Sequence, residues 1–145
     1  MGLMKDLTGK KIFLDTAPLI YYIEEHSYFA PLLNELFLLK GKEECQFISS
    51  VITLTEVLVL PLREKKLDLA QKYETIMTSS KSIELVDISV KTAKITAQLR
   101  AKYALKTPDA IQLAVAIHHS ADYFLTNDKR LKTVCEIKII TLEDL

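Results

Sequence analysis

The chain of 145 residues is long enough for one domain with a proper core, and 49% of its residues are hydrophobic. Its 19 basic residues balance 19 acidic residues, so it lacks the overall positive charge of proteins that bind nucleic acid through bulk electrostatics. It has two distant cysteines, no signal-peptide pattern and no apolar run near about 18 residues, so we expect a single domain, residues 1–145, in the cytoplasm and without membrane contact.

Short strand patterns alternate with helical patterns along the chain. In order, the predicted elements are a strand at residues 11–14, a helix from Pro18, a helix at 28–39, a strand at 46–50, helices at 53–62 and 67–79, a strand at 83–88, a helix from Ser89 to about 103, a helix from Pro108, and strands at 123–126 and 138–142. This alternation is typical of an α/β domain with a mostly parallel sheet. We therefore predict a central five-stranded sheet flanked by helices.

Residues 107–128 form the most informative stretch. Thr107 is predicted to cap a helix that begins at Pro108, and the apolar residues that follow lie on nearly every side, so this helix should be buried. Asp109 nevertheless lies in its first turn. A short strand follows and ends just before Asp128. This stretch therefore places two carboxylates at the edge of the core.

Four acids are predicted to meet at one edge of the sheet. Asp15 and Asp128 come directly after strands. Glu56 and Asp109 lie on the first turns of helices that follow loops. In open parallel sheets, sites form in the crevice beyond the carboxyl ends of the strands, and all four side chains have access to that crevice.

Each acid also has a local explanation. Glu56 has capping-box spacing from Thr53, which stabilises a helix start by roughly 0.5–2 kcal/mol. Asp109 can interact with the positive end of its helix, for about 0.3–1 kcal/mol. Asp15 and Asp128 can be turn or cap residues after strands. Together these explanations require four unrelated coincidences at one edge, whereas a shared site requires one cause.

A divalent cation is that single cause. Carboxylates that converge in a partly buried pocket repel one another, and a hard cation such as Mg²⁺ or Mn²⁺ removes the repulsion and accepts oxygen ligands. Metal held by acids without His or Cys is the arrangement for phosphoryl chemistry. We therefore predict a catalytic site for Mg²⁺ or Mn²⁺ formed by Asp15, Glu56, Asp109 and Asp128.

Other chemical motifs are weaker. His118 and His119 are adjacent, so their side chains diverge by about 100° on a helix and do not share the face that a metal pair needs. The sequence has no Gly-rich phosphate loop and no nucleophile-elbow motif. Asp15 begins a pattern like that of aspartyl-phosphate phosphatases, but Ala17 stands where that chemistry needs a second acid.

The ordered set of motifs resembles the PIN-domain ribonucleases. It comprises Asp15 followed by Thr-Ala-Pro, the segment SSVITLTE that ends in Glu56, the segment TPDAIQLAVA around Asp109, and the segment FLTND that ends in Asp128. The fragments occur in the family's order and spacing and cover nearly the whole chain. Small single-domain members are most similar to VapC-type toxins of toxin–antitoxin pairs.

The resemblance implies a single PIN-like domain with sheet order 3-2-1-4-5 and an endoribonuclease that depends on Mg²⁺ or Mn²⁺. Asp15 and Asp109 would be the principal metal ligands. Glu56 would bind the metal or a water held by it, and Asp128 would complete the acidic cluster. The implied supporting residues are Thr16, Ser50, Thr126 and Asn127. Asn127, rather than a second acid, stands beside Asp128, which leaves occupancy by a second metal open.

The expected partners are an RNA substrate, a cognate antitoxin whose tail covers the acidic pocket, and a second copy of the chain in a homodimer. Lys106, Lys129 and Arg130 lie near the site and are expected to contact RNA phosphates, although a solvated surface explains these cations equally well. The apolar excess of residues 29–39 and 57–62 indicates a protein interface. Two other functions stay open: a non-catalytic PIN-like module that binds RNA or protein, and a phosphatase for small phosphoesters.

Overall fold

The computed structural model describes residues 2–41, 45–79 and 81–145. The α-helices are α1 (Gly2–Asp6), α2 (Thr16–Ile23), α3 (Phe29–Gly41), α4 (Val51–Arg63), α5 (Leu67–Thr78), α6 (Val90–Lys102) and α7 (Thr107–His118). The strands are β1 (Lys10–Leu14), β2 (Cys45–Ser50), β3 (Glu84–Val86), β4 (Tyr123–Thr126) and β5 (Lys138–Thr141). Short 3₁₀ helices follow β4 at Lys129–Thr133 and β5 at Leu142–Asp144.

The five strands form one parallel sheet in the order β3-β2-β1-β4-β5, which confirms the predicted topology. β1 lies at the centre, where Phe13 pairs with Ile48 of β2 and with Phe124 of β4. The chain extends the sheet from β1 first toward β3 and then toward β5, so the switch point of the topology lies between β1 and β4. The crevice beyond the carboxyl ends of these two strands is therefore where this fold favours a binding site.

Each face of the sheet has its own apolar core. On one face, Phe13 stacks on Phe124 with ring centroids 5.1 Å apart, in the same cluster as the buried residues of α7. On the other face, Leu14 and Leu125 belong to a cluster that includes the buried Tyr73 of α5. Successive side chains of a strand point to opposite faces, so β1 and β4 each contribute to both cores. The buried α7 that the sequence predicted is needed to cover one of these faces.

The start of α4 differs from the sequence prediction. The helix begins at Val51, because Ser50 is the last residue of β2, has an extended backbone, and accepts the N–H of Ile52 at its hydroxyl at 3.1 Å. Thr53 is therefore inside the helix rather than at its cap. Glu56 lies in the second turn, and the capping-box explanation for this acid is wrong.

The starts of α7 and α2 are also shifted. α7 begins at Thr107 with Lys106 in the cap position, so Thr107 is not the cap and Pro108 is the second helical residue. Pro18 is the third residue of α2 rather than its first. Both prolines remain in the first turn, where a backbone N–H has no partner within the helix. The predicted helix starts are therefore off by one or two residues, although both prolines lie near the start of a helix.

Some elements have no strong sequence signal. α1 and the 3₁₀ helix at Lys129–Thr133 were not predicted, and β3 covers only Glu84–Val86 of the strand predicted at 83–88. β3 pairs with β2 through three residue pairs at the edge of the sheet, so it receives little support from neighbouring strands. Among the helices that the structure describes, none has the length and apolar character needed to cross a membrane.

Candidate active site

Asp15 is the central acid of the site. It follows β1 and occupies the cap position of α2, but its side chain does not cap that helix. The carboxylate instead accepts a hydrogen bond from the hydroxyl of Thr126, at 2.8 Å. Burial raises the pKa of Asp15; hydrogen bonds from Thr126 and the Thr16 backbone lower it, and the charges of Asp109 and Glu56 raise it further. The fold thus holds an acid in surroundings that disfavour its charge.

Asp109 approaches Asp15 from the first turn of α7 and is partly buried. Burial raises the pKa of Asp109, and the negative charge of Asp128 raises it further. The positive charges of Lys106 and Arg130 act in the opposite direction. The positive end of α7 does not offset the burial of Asp109 and its repulsion by Asp128, because the pKa of Asp109 is still raised. The helix macrodipole alone therefore does not explain why an acid stands at this position.

Glu56 reaches the site from the second turn of α4 and is exposed to solvent. Its Oε1 atom accepts a hydrogen bond from the hydroxyl of Thr16 at 2.8 Å, across 40 residues of sequence. Glu56 also contributes to the negative charge that Asp15 experiences. Thr16 therefore orients an exposed carboxylate, which is a positioning role rather than a capping role.

Asp128 has both a local and a shared role. Its Oδ1 atom accepts the backbone N–H of Arg130 at 3.0 Å and so caps the 3₁₀ helix that follows β4. The Arg130 guanidinium donates from Nε to Oδ1 at 3.0 Å and from Nη2 to Oδ2 at 2.8 Å. These bonds hold the pKa of Asp128 below its usual range. The cap explanation is correct for this acid, although its charge also acts on Asp109.

A buried polar network supports the start of α7. Gln112 is 2% exposed; its amide oxygen accepts the Ser50 hydroxyl and its amide nitrogen donates to the Thr53 hydroxyl. Ser50 was predicted as a supporting hydroxyl, but Gln112 and Thr53 were not predicted as part of the site. The sequence feature that could have indicated Gln112 is its position: it is a single amide among apolar residues of α7, three residues after Asp109.

The two residues after Leu125 have different roles. Thr126 is buried, donates to Asp15 and accepts the backbone N–H of Asp128 at 3.1 Å. Asn127 is exposed, and its side-chain nitrogen donates to the hydroxyl of Tyr21 at 3.2 Å. Thr126 therefore organises the acids directly, whereas Asn127 ties their loop to α2.

The three predicted cations occupy different environments. Arg130 pairs with Asp128, and Lys106 lies at the cap of α7, close enough to act on Asp109 and Asp128. Lys129 instead pairs with Glu143 at 2.6 Å, beyond the end of β5. Lys106 and Arg130 line the same cavity as Asp109, and Lys129 does not.

The acids fit a hard divalent cation in donor chemistry. All four offer carboxylate oxygens, and their charges act on one another in the pairs Asp15–Asp109, Asp15–Glu56 and Asp109–Asp128. Within the described residues, however, no three His, Cys, Asp or Glu side chains are arranged to hold one ion. A cation at this site therefore requires side-chain rotation, which the exposed Glu56 and the partly exposed Asp109 allow.

Comparisons with known proteins agree on the fold. A VapBC2 structure from Rickettsia felis, bound to promoter DNA, matches with a TM-score of 0.71 at 20% identity, covering 90% of this chain and 98% of that chain. A toxin–antitoxin complex from Klebsiella pneumoniae matches with a TM-score of 0.66 at 25% identity, covering 90% and 97%. A Mycobacterium tuberculosis VapC toxin that cleaves the sarcin-ricin loop matches with a TM-score of 0.66 at 14% identity, covering 88% and 98%.

The family assignment follows from the sequence as well as the fold. No curated protein matches the sequence significantly. The PIN domain family matches residues 12–137. This range includes all four acids, most of β1, and the whole of β2, β3 and β4. The chain therefore belongs to the PIN domain family.

Proposed function

We propose that this protein is a metal-dependent endoribonuclease and the toxin of a type II toxin–antitoxin pair. The observation that carries the proposal is the placement of Asp15 and Asp109 at the carboxyl edge of β1 and the start of α7, where burial raises the pKa of both and the charge of Asp109 adds repulsion at Asp15. Such repulsion destabilises the fold unless a positive ligand offsets it. Perturbed pKa values of this kind cluster at functional sites.

The proposed roles follow from the position of each side chain. Asp15 and Asp109 are the principal ligands of Mg²⁺ or Mn²⁺, and Asp128 completes the acidic cluster. When bound, such a cation polarises a phosphate and lowers the pKa of water. Glu56 binds the metal or orients the attacking water, because Thr16 engages Oε1 and leaves Oε2 for this purpose. We expect hydrolysis to leave a 5′-phosphate and a 3′-hydroxyl.

RNA is the proposed substrate, and the activity of the sarcin-ricin-cleaving relative is consistent with it. Since the net charge is zero, local cations have to hold the RNA phosphates. Lys106 and Arg130 are placed for this beside Asp109. Lys129 is a weaker contact because it pairs with Glu143.

The proposed protein partners are a cognate antitoxin and a second copy of the chain, in the cytoplasm. Neighbours of this fold include toxin–antitoxin complexes. Four large apolar side chains at the end of α4 and the start of α5 are exposed, namely Val59, Leu60, Leu62 and Leu67. A cluster of this kind is typical of an association surface. Light scattering after size exclusion should give a dimer at tens of micromolar, and a strictly monomeric protein would contradict that part of the proposal.

The first test is thermal unfolding against Mn²⁺ concentration for the wild type and Asp109→Asn. A cation at about 100 times its dissociation constant should stabilise the wild type by about 2.7 kcal/mol. Asp109→Asn should be more stable than the wild type in EDTA, because one repelling charge is gone, and should gain little from Mn²⁺.

Asp68→Asn is the matched control, because Asp68 is an exposed acid in the first turn of α5. This variant should keep the full response to Mn²⁺ and lose only about 0.3–1 kcal/mol from its helix end. If neither Mn²⁺ nor Mg²⁺ stabilises the wild type, the non-catalytic binding module becomes the better explanation. Turnover of an aryl phosphate with RNA left intact would instead indicate the phosphatase.

A further inference from the structure

A cavity of about 190 Å³ lies beside Asp109, outside the group formed by Asp15 and Glu56. It separates the connection between α6 and α7 from the 3₁₀ helix at Lys129–Thr133. One part of its wall is polar and carries Lys106, Asp109, Asp128 and Arg130. The other part is formed mainly by Tyr103, Leu105 and Leu131. The cavity therefore combines charge with an apolar and aromatic surface next to a proposed catalytic acid.

Arg130 gives the polar wall a fixed cation. Its guanidinium donates to both oxygens of Asp128 through Nε and Nη2, in a planar two-point contact. The remaining N–H groups of the guanidinium point along its other edge and are able to bind an anion without loss of this pair. The side chain is 81% exposed, so a ligand reaches it without rearrangement of the core. Lys106 adds a second positive charge beside Asp109.

Tyr103 gives the other wall a fixed ring. Its hydroxyl donates to Glu136 at 2.6 Å and accepts the backbone N–H of Cys135 at 3.1 Å. The ammonium of Lys102 lies 5.3 Å from the ring centroid and also pairs with Glu136 at 3.2 Å. Three neighbours therefore hold the ring in place at the cavity. A preorganised aromatic ring loses little entropy when a ligand packs against it.

A ligand suited to this cavity needs an anionic group and a flat, partly apolar group on neighbouring atoms. A nucleotide has both, as phosphate and as base. Single-stranded nucleic acid is held in this way elsewhere, by cations along its backbone and by aromatic side chains that stack on its bases. An inorganic anion would use only the polar wall, and a simple apolar ligand would make no use of the positive charges of Arg130 and Lys106.

We propose that this cavity is the subsite for one nucleotide of the RNA strand, next to the phosphate that is cleaved. Arg130 and Lys106 bind the phosphate of that nucleotide, and its base packs against Tyr103, Leu105 and Leu131. The subsite rests on the proposed nuclease function, because Asp109 connects the cavity to the acidic cluster. It also gives Glu136 a positioning role, since Glu136 holds the ring of Tyr103.

The test is an NMR titration of the protein in EDTA with uridine 5′-monophosphate, adenosine 5′-monophosphate and inorganic phosphate. EDTA removes any contribution from a metal, so binding reports on the cavity alone. Both nucleotides should shift the resonances of Leu105 and Leu131 and should bind about tenfold more tightly than phosphate, because the base contributes. Equal affinity for phosphate and nucleotides would overturn the proposal.

Variants with matched controls test each wall. Arg130→Gln and Tyr103→Leu should each weaken nucleotide binding by about tenfold. Arg63→Gln at the end of α4 and Tyr28→Leu before α3 change the same residue types elsewhere and should bind as the wild type does. Tyr103→Phe keeps the ring but loses its hydrogen bonds to Glu136 and Cys135, so it should bind nucleotides more tightly than Tyr103→Leu and more weakly than the wild type. Binding of phosphate should be the same in all three proteins, because phosphate does not use the ring.

The result separates the subsite from the nuclease function. If no nucleotide shifts the cavity resonances while the protein binds Mn²⁺ and cleaves RNA, the subsite is wrong and the nuclease proposal stands. If nucleotides bind in the cavity but RNA is not cleaved with Mn²⁺, the nuclease proposal fails and the binding site stands. With an active enzyme, Arg130→Gln should raise KM more than it lowers kcat, and the opposite result would contradict the subsite.

Discussion

The hydroxyl of Thr126 donates a 2.8 Å hydrogen bond to the carboxylate of Asp15 across two neighbouring parallel strands. The same hydroxyl oxygen accepts the backbone N–H of Asp128 at 3.1 Å. One buried side chain therefore links the acid that follows β1 to the acid that follows β4. This link lies at the switch point of the sheet, where the ends of both strands meet.

Replacement of Thr126 by Val should destabilise the protein by about 1–3 kcal/mol at pH 7, because the Asp15 carboxylate loses a buried donor. The pKa of Asp15, already raised, should rise further. The loss should therefore be complete above the folded-state pKa of the variant and should shrink as the pH falls through the folded-state values of the variant and the wild type, because the unfolded-state pKa is the same in both. Urea unfolding at pH 7 and pH 4 measures both effects. An equal loss at both pH values would show that packing, not charge, is responsible.

Replacement of Asp15 by Asn should stabilise the metal-free protein at pH 7, because the amide removes a buried charge whose pKa the fold raises; each pKa unit corresponds to about 1.4 kcal/mol. A raised folded-state pKa means that the folded protein binds the extra proton, so wild-type stability falls as the pH rises from the unfolded value through the folded value. The amide cannot ionise, so the variant should lack this fall.

Urea unfolding in EDTA from pH 3 to pH 7 tests the Asp15 prediction. The matched control is Asp87→Asn, because Asp87 is an exposed acid that directly follows β3. Its stability curve should keep the slope of the wild type. A curve for Asp15→Asn that runs parallel to the wild type would contradict the conclusion that burial disfavours the Asp15 charge.

Replacement of Gln112 by Leu should destabilise the protein by about 2 kcal/mol, because the buried hydroxyls of Ser50 and Thr53 both lose a partner. The start of α7 should become less well placed, so RNA cleavage should also fall. Gln98→Leu changes an exposed amide of α6 and should stay within about 0.5 kcal/mol of the wild type. Thermal unfolding compares the two. A stable Gln112→Leu variant would mean that the network contributes little.

Replacement of Thr16 by Val should reduce RNA cleavage severalfold while stability changes by less than about 1 kcal/mol. Glu56 is exposed, so its hydrogen bond from Thr16 orients the carboxylate more than it stabilises the fold. Thr55→Val removes a hydroxyl that bonds only within α4, to the carbonyl of Val51, and should retain activity. Single-turnover cleavage separates the two variants. Equal activity would show that Glu56 needs no partner to act.

Much of the fold follows from local patterns in the sequence. The alternation of short apolar strands with helical patterns predicted the parallel five-stranded sheet, and its order was implied by the family motifs. The apolar surface of α7 predicted a buried helix. These features depend on the periodicity of side chains along one element, which a sequence displays directly.

The position of the acids was also predictable, because Asp15 and Asp128 follow strands whose carboxyl ends share one edge. The exact helix starts were not, because several Ser and Thr residues near one start compete for the cap. Ser50 rather than Thr53 occupies the cap position of α4, because Ser50 lies at the end of β2 and has an extended backbone. This shift of the cap by three residues removed the local explanation for Glu56.

By itself, the sequence determined the fold class, the family and the set of acids at one sheet edge, since each depends on local periodicity or on residue order. Only the tertiary structure decided the partners of these acids: Thr126 for Asp15, Thr16 for Glu56, and the cavity beside Asp109. The physical reason is distance along the chain. The first two contacts join residues 111 and 40 positions apart, and their geometry exists only once the sheet and helices have packed.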